Sequence, residues 1–254
     1  MLHPLNAERK YQRALVRLAR AIEVEVRSKL FPALPELQKL RGLVLDAGVD
    51  AWSDRLKAIM DGVSIGVEGA FESGDAYARR MTQETAKWNG AQWQKQIRSA
   101  IGVQVVSANP WLQPALDQAV KVNSELIKSL KGKAITEIAD LAMDGIKTGR
   151  RVEAIQDAII VKFGATKARA ELIARDQVSK LNGDLTRMRQ TEIGLKRYTW
   201  RTSLDERVRP THRANEDHVF SWDDAPAGTG HPGQDFQCRC TAEPLYEEIK
   251  GLLR

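Results

Sequence analysis

From Ala7 to about Gly194 the apolar residues recur every three or four positions, and this period commits most of the chain to helix. Leu15, Leu18, Ile22 and Val26 line one stripe of a first helix over Ala7–Leu30, while Arg9, Arg13, Arg17, Arg20 and Arg27 occupy much of the rest. Pro32 and Pro35 predict a break and the start of a second helix through about Met60, with Leu37, Leu40 and Val44 as its first apolar positions. Glycines 42, 48, 62, 74 and 90 mark expected interruptions up to Gly102, and Trp88 and Trp93 are expected to pack in the core or between helices. After Ser107-Ala108 the pair Asn109-Pro110 signals a turn. A long helix from about Leu112 to Thr148 follows, with a break expected at Lys131-Gly132. Thr148-Gly149 reads as a stop. Arg151–Phe163 reads as a short amphipathic helix with Val152, Ile155, Ile159 and Ile160 inward, ended by Gly164. Thr166 then caps a helix to about Thr191, which Gly194 closes.

Beyond Gly194 the character changes. Tyr198–Ser203 is rich in β-forming residues, His218–Trp222 is a second, short strand candidate and Arg239–Leu245 a third, and Asp223–Gln237 is a loop dense in Gly, Pro and Asp. A helical tail follows. The fold class is therefore mainly α: a long helical N-terminal region (1–132), then a C-terminal region (133–254) carrying a small α+β, loop-rich module at about 195–245.

Composition narrows the functional classes. Of 254 residues, 43% are hydrophobic and 28% charged, as in a globular chain. There is no apolar run of the roughly 18 residues that a membrane span needs, and Met1–Lys10 holds no signal core, so no membrane partner and a cytosolic setting are expected. The net charge of +6 permits an anionic partner such as double-stranded DNA without requiring one.

The chemistry concentrates near the end. Three of the four histidines, His212, His231 and His218, fall between Asp205 and Cys240, with both cysteines, Cys238 and Cys240, and with Trp222. A disulfide within Cys-x-Cys would close a small strained ring and is disfavoured in a reducing compartment. His212, His231, Cys238 and Cys240 would together supply the four N and S ligands of a structural zinc ion. On a regular strand the two thiols would be offset by roughly 7 Å, so sharing one ion requires the chain to turn locally. The alternative is that thiols and imidazoles pack and hydrogen-bond in a loop-rich module. Asp205 or Glu206 with His212 could serve as a general base, but the segment reads more simply as a polar turn in which Asp205 accepts backbone N–H groups and Arg207 or Arg209 pairs with a carboxylate.

The order Trp200-Arg201-Thr202-Ser203-Leu204-Asp205-Glu206-Arg207-Val208-Arg209, then His212, His231-Pro232-Gly233 and Cys238-Arg239-Cys240, resembles the signature of the phage Mu F-like minor head proteins. The helix containing Ile173-Ala174-Arg175-Asp176 resembles the one that precedes the tryptophan strand in that family, with Gln177 where the family usually shows Glu. The resemblance covers about Lys133 to Pro244. It implies a minor capsid component of the virion, assembled in the host cytoplasm, that docks to the portal protein and meets the major capsid or scaffolding protein and DNA. It implies no enzyme activity. Trp200, Asp205, Arg207, Arg209, Trp222, Pro232 and Arg239 become the module's structural motif. The competing class is a metal-dependent hydrolase or nuclease using His212, His231 and Asp205.

Overall fold

The computed structural model describes residues 3–43, 51–102 and 109–251. The elements run α1 (Leu5–Leu43), α2 (Ala51–Glu72), α3 (Gly74–Ile101), α4 (Leu112–Lys147), α5 (Val152–Glu192), β1 (Arg197–Arg201), α6 (Pro210–Ala214), β2 (Val219–Ser221), β3 (Thr241–Pro244) and α7 (Tyr246–Gly251). The chain is mainly α with a small C-terminal sheet, as the periodicity predicts. None of the described helices is long and apolar enough to cross a membrane.

The helices are longer than the glycines and prolines suggest. α1 continues through Pro32 and Pro35. A proline inside a helix costs about 3 kcal/mol. Both prolines are exposed, whereas Leu30, Leu34 and Leu37 on the opposite stripe are fully buried. Each such side chain contributes roughly 1.5–3 kcal/mol, so the buried stripe outweighs the lost backbone bonds. Gly62 lies within an unbroken α2, whose stripe of Trp52, Leu56, Met60, Val63, Val67 and Phe71 is buried throughout. Gly90 lies within α3, and Lys131-Gly132 within α4. Gly164 and Thr166 interrupt nothing: α5 runs for 41 residues, and the Thr166 hydroxyl donates to the Lys162 carbonyl one turn back rather than capping a new helix. Gly74 does mark an interruption, as expected: α2 ends at Glu72 and α3 begins at Gly74. Val44, Gly48, Ser107 and Ala108 lie outside the described residues.

Two further stops occur where a glycine takes a left-handed conformation. Gly149 (φ +71°) and Gly194 (φ +86°) end α4 and α5, and the N–H groups of Arg150 and Leu195 reach back to the carbonyls of Gly145 and Gln190.

The chain divides into two compact units, each assembled from separated segments: 12–77 with 124–173, and 1–11 with 78–123 and 174–254. In the first, Leu15, Leu18, Ile22 and Val26 are buried as predicted, and Ile155 and Ile159 join the buried set, but Ile160 is 41% exposed. α4 and α5 approach closely there, because Gly145 leaves room for Ile155. Arg27 lies over the rings of Phe31 and Phe163.

In the second unit, Trp93 packs with Ile97, Leu195 and Ile249, whereas Trp88 is 36% exposed and is not a core residue. Asn89 donates to Asn182 and Thr186, and its side-chain carbonyl accepts from Arg189, joining α3 to α5 through buried polar groups. The Tyr11 hydroxyl donates to Asn123, and Arg175 pairs with Glu8. The sheet order is β2-β1-β3, antiparallel throughout, with β1 central.

Candidate metal centre in the C-terminal module

β1 alternates as a half-buried strand should. Tyr198 and Trp200 point to one face and are fully buried, and they cluster with Trp222, Cys238, Cys240 and Ala242. This face is fastened to α5 by three attachments. Gln190, itself fully buried, accepts the Trp222 indole N–H (3.1 Å) and donates to the Ala242 carbonyl (3.1 Å). Arg175 donates to the Gln237 side chain (3.0 Å), and the Asp176 carboxylate accepts the Gln237 backbone N–H (3.0 Å). Gly183 on α5 abuts Pro232 and Gly233: an added Cβ would lie 2.5 Å from the Pro232 carbonyl oxygen. The Arg175-Asp176 pair thus clamps the residue immediately before the cysteines. Gln177, in place of Glu, spans Asp176 and Asn123 by hydrogen bonds.

The local turn that Cys-x-Cys requires is present. Gln237 adopts φ +56°, the Cys238 N–H donates to Asp235, and β3 starts only at Thr241. Ligand atoms of His212, Cys238 and Cys240 consequently lie within 4.8 Å of one another, and all three residues are buried. His212 Nδ1 is 3.4 Å from each sulfur. Its Nε2–H donates to Asp235 at 2.9 Å, which leaves the Nδ1 lone pair facing the thiols. His212 is carried by α6, a helical turn that begins with Pro210 at its first position, where the sequence suggested only a polar turn. The Trp200 ring meets the imidazole edge-on at 5.5 Å.

The thiols do not titrate independently. A hydrogen bond from Cys240 holds Cys238 down to about 6 against the effect of burial, with the Gly233 N–H assisting. The same shared proton, with burial, pushes Cys240 up. Burial acting alone would raise the Asp235 carboxyl, but His212, the Phe236 N–H and Arg209 outweigh it and hold its pKa below the ordinary value.

His231 stands apart from the trio. Its Nδ1 meets the Tyr198 hydroxyl at 2.9 Å, and its ring lies 5.6 Å from Tyr198 and 5.0 Å from Trp222. Burial, then the nearby Arg187 charge, lowers its pKa below 6.5. Its contribution to stability is therefore full above the unfolded value of about 6.5 and declines as pH falls toward the folded value. Thermal midpoints measured across pH 5–8 should drop on the acid side, and His231→Gln should flatten the part of that slope lying just below pH 6.5. An unchanged profile would remove His231 from the account.

The remaining motif residues build the surrounding loops. Asp205 accepts the Arg207 N–H (3.1 Å) and pairs with Arg239, which matches the polar-turn reading. Arg209 pairs with Asp235 and donates to the Phe236 carbonyl (2.7 Å). The Arg207 side chain is exposed, and Pro232 is buried against α5. His212, His231 and Asp205 do not form a common ligand set among the described residues. Asp235 and Gly183 are not singled out by the sequence, and Asp176 is marked there only as part of a helix that resembles the family's. Of the first two only Asp235, an acid lying between His231 and Cys238, carries a signal.

The chain is mainly helical, with a small sheet braced on α5 and a buried His/Cys/Cys cluster. Residues 136–243 match the family described as Phage Mu protein F like protein, so the resemblance carried by the tryptophan strand and the His-Pro-Gly and Cys-Arg-Cys motifs holds over this segment. A Haemophilus influenzae (strain ATCC 51907 / DSM 11121 / KW20 / Rd) protein described as uncharacterized is 37% identical over 132 residues, 52% of this chain. The chain spans 30% of that relative's length. No solved structure matches.

Proposed function

We propose that the protein is a minor component of a phage head that acts in procapsid assembly by docking to the portal, with the major capsid or scaffolding protein as a further neighbour. The observation that carries this reading is the match of residues 136–243 to the Mu F-like family. The site geometry is compatible with it: Asp205, Arg209, Trp222 and Arg239 are all engaged in holding loops to α5 or to one another, while Arg207 is exposed. Such a module presents a fixed surface, which is what a docking element needs, since a rigid surface loses little conformational entropy on binding.

DNA is a secondary partner in this reading. Arg9, Arg13, Arg17, Arg20 and Arg27 are all exposed on α1. Contacts of this kind address phosphates and weaken steeply with salt.

Coexpression with the portal protein of the same phage should yield a complex that co-sediments with portal rings in moderate salt. If the chain sediments alone in the presence of both portal and capsid shells, the assembly role fails. A nuclease or hydrolase reading would need turnover that disappears in His212→Ala.

A further inference from the structure

We propose that His212, Cys238 and Cys240 hold a zinc ion through three protein ligands, and that its fourth position opens into the adjoining arginine-lined cavity. In a tetrahedral zinc site the usual bond lengths place sulfur and nitrogen donors about 3.6 Å apart. Here His212 Nδ1 stands 3.4 Å from both sulfurs, so these two separations already lie within a few tenths of an ångström of that value. The imidazole is already oriented for the task. Asp235 takes its Nε2–H and turns Nδ1 inward, the carboxylate–histidine arrangement that fixes a metal-binding tautomer. The Gly233 N–H, 3.4 Å from Cys238 Sγ, supplies the kind of donor that stabilises a ligating thiolate.

The fourth donor is not His231, which is bound to Tyr198 within the aromatic cluster. Instead the three ligand residues share a cavity of about 150 Å³ with Arg175, Arg207, Arg209 and Arg239, and no carboxylate lines it. Two thiolates and a neutral imidazole around Zn²⁺ leave no net charge. Guanidinium groups around the open position would then favour a small oxyanion there over a neutral donor.

The test uses the full chain, loaded with zinc, passed through gel filtration and analysed for metal. One zinc per chain is expected, and it should protect both cysteines from a thiol-alkylating reagent until a chelator is added. His231→Gln should retain zinc. Asp235→Asn should weaken zinc binding about 10–100-fold in chelator competition while the far-UV circular dichroism stays unchanged. Cobalt in place of zinc should give a thiolate charge-transfer band and ligand-field bands that shift on adding inorganic phosphate. Absence of stoichiometric zinc from the wild-type protein overturns the site. Loss of zinc in a folded His231→Gln, or a cobalt spectrum indifferent to phosphate, overturns the three-ligand, open-position form of it.

Discussion

Alanine at Gly183 is expected to destabilise the protein by about 2–3 kcal/mol, although the same exchange in an ordinary helix interior stabilises by up to about 1 kcal/mol. The sign reverses because of the neighbour. A Cβ at this position would sit 2.5 Å from the Pro232 carbonyl oxygen and 3.3 Å from the Gly233 Cα, and both are backbone atoms that cannot rotate away. Relief would require the His-Pro-Gly loop to lift off α5. Gly233 completes the fit from the other side: its φ is +92°, and a Cβ there would meet the Ser179 carbonyl at 2.8 Å. Gly164, in the same helix but with nothing within 4 Å of an added Cβ, is the control. Urea unfolding should show Gly164→Ala at or above the wild-type midpoint and Gly183→Ala well below it. Equal shifts for the two would mean that the loop does not rest on the helix.

Trp200→Ala should be more damaging still, by about 3–5 kcal/mol, the range for removing a fully buried aromatic side chain. Trp200 sits in the central strand, is fully buried, and touches both Phe220 and His212 through its ring. Its loss opens a cavity beneath the sheet and frees the imidazole that faces the thiols. Trp88→Ala, at a partly exposed site, should cost far less. A protein in which both substitutions shift the thermal midpoint equally would contradict the placement of the module's core.

These contrasts show what the sequence makes legible. The apolar period identifies the helices and the buried faces of α1 and β1 because burial of a stripe is the dominant local signal. It misjudges the breaks because a proline or glycine is read without knowing which face it occupies; Pro32 and Pro35 are exposed opposite buried leucines, and the helix continues. The thiols and His212 are recognisable as a group by residue type. Residue type places His231 with them equally, and its true position is not legible, since an imidazole serves as well for a tyrosine hydroxyl as for a metal. Gly183 gave no signal at all: its necessity arises from a loop 49 residues later in the chain, at Pro232.

The way each compact unit is stitched from distant stretches bears on any attempt to dissect the protein. The family-matched segment begins at residue 136, yet the unit that contains the sheet also draws on residues 1–11 and 78–123. A clone trimmed to the recognisable homology would leave Trp93, Ile97 and Ile249 behind and strip Leu195 of its cover. Sequence kinship and autonomous folding have different borders in this chain, and a truncated fragment that aggregates would report the cut rather than the biology.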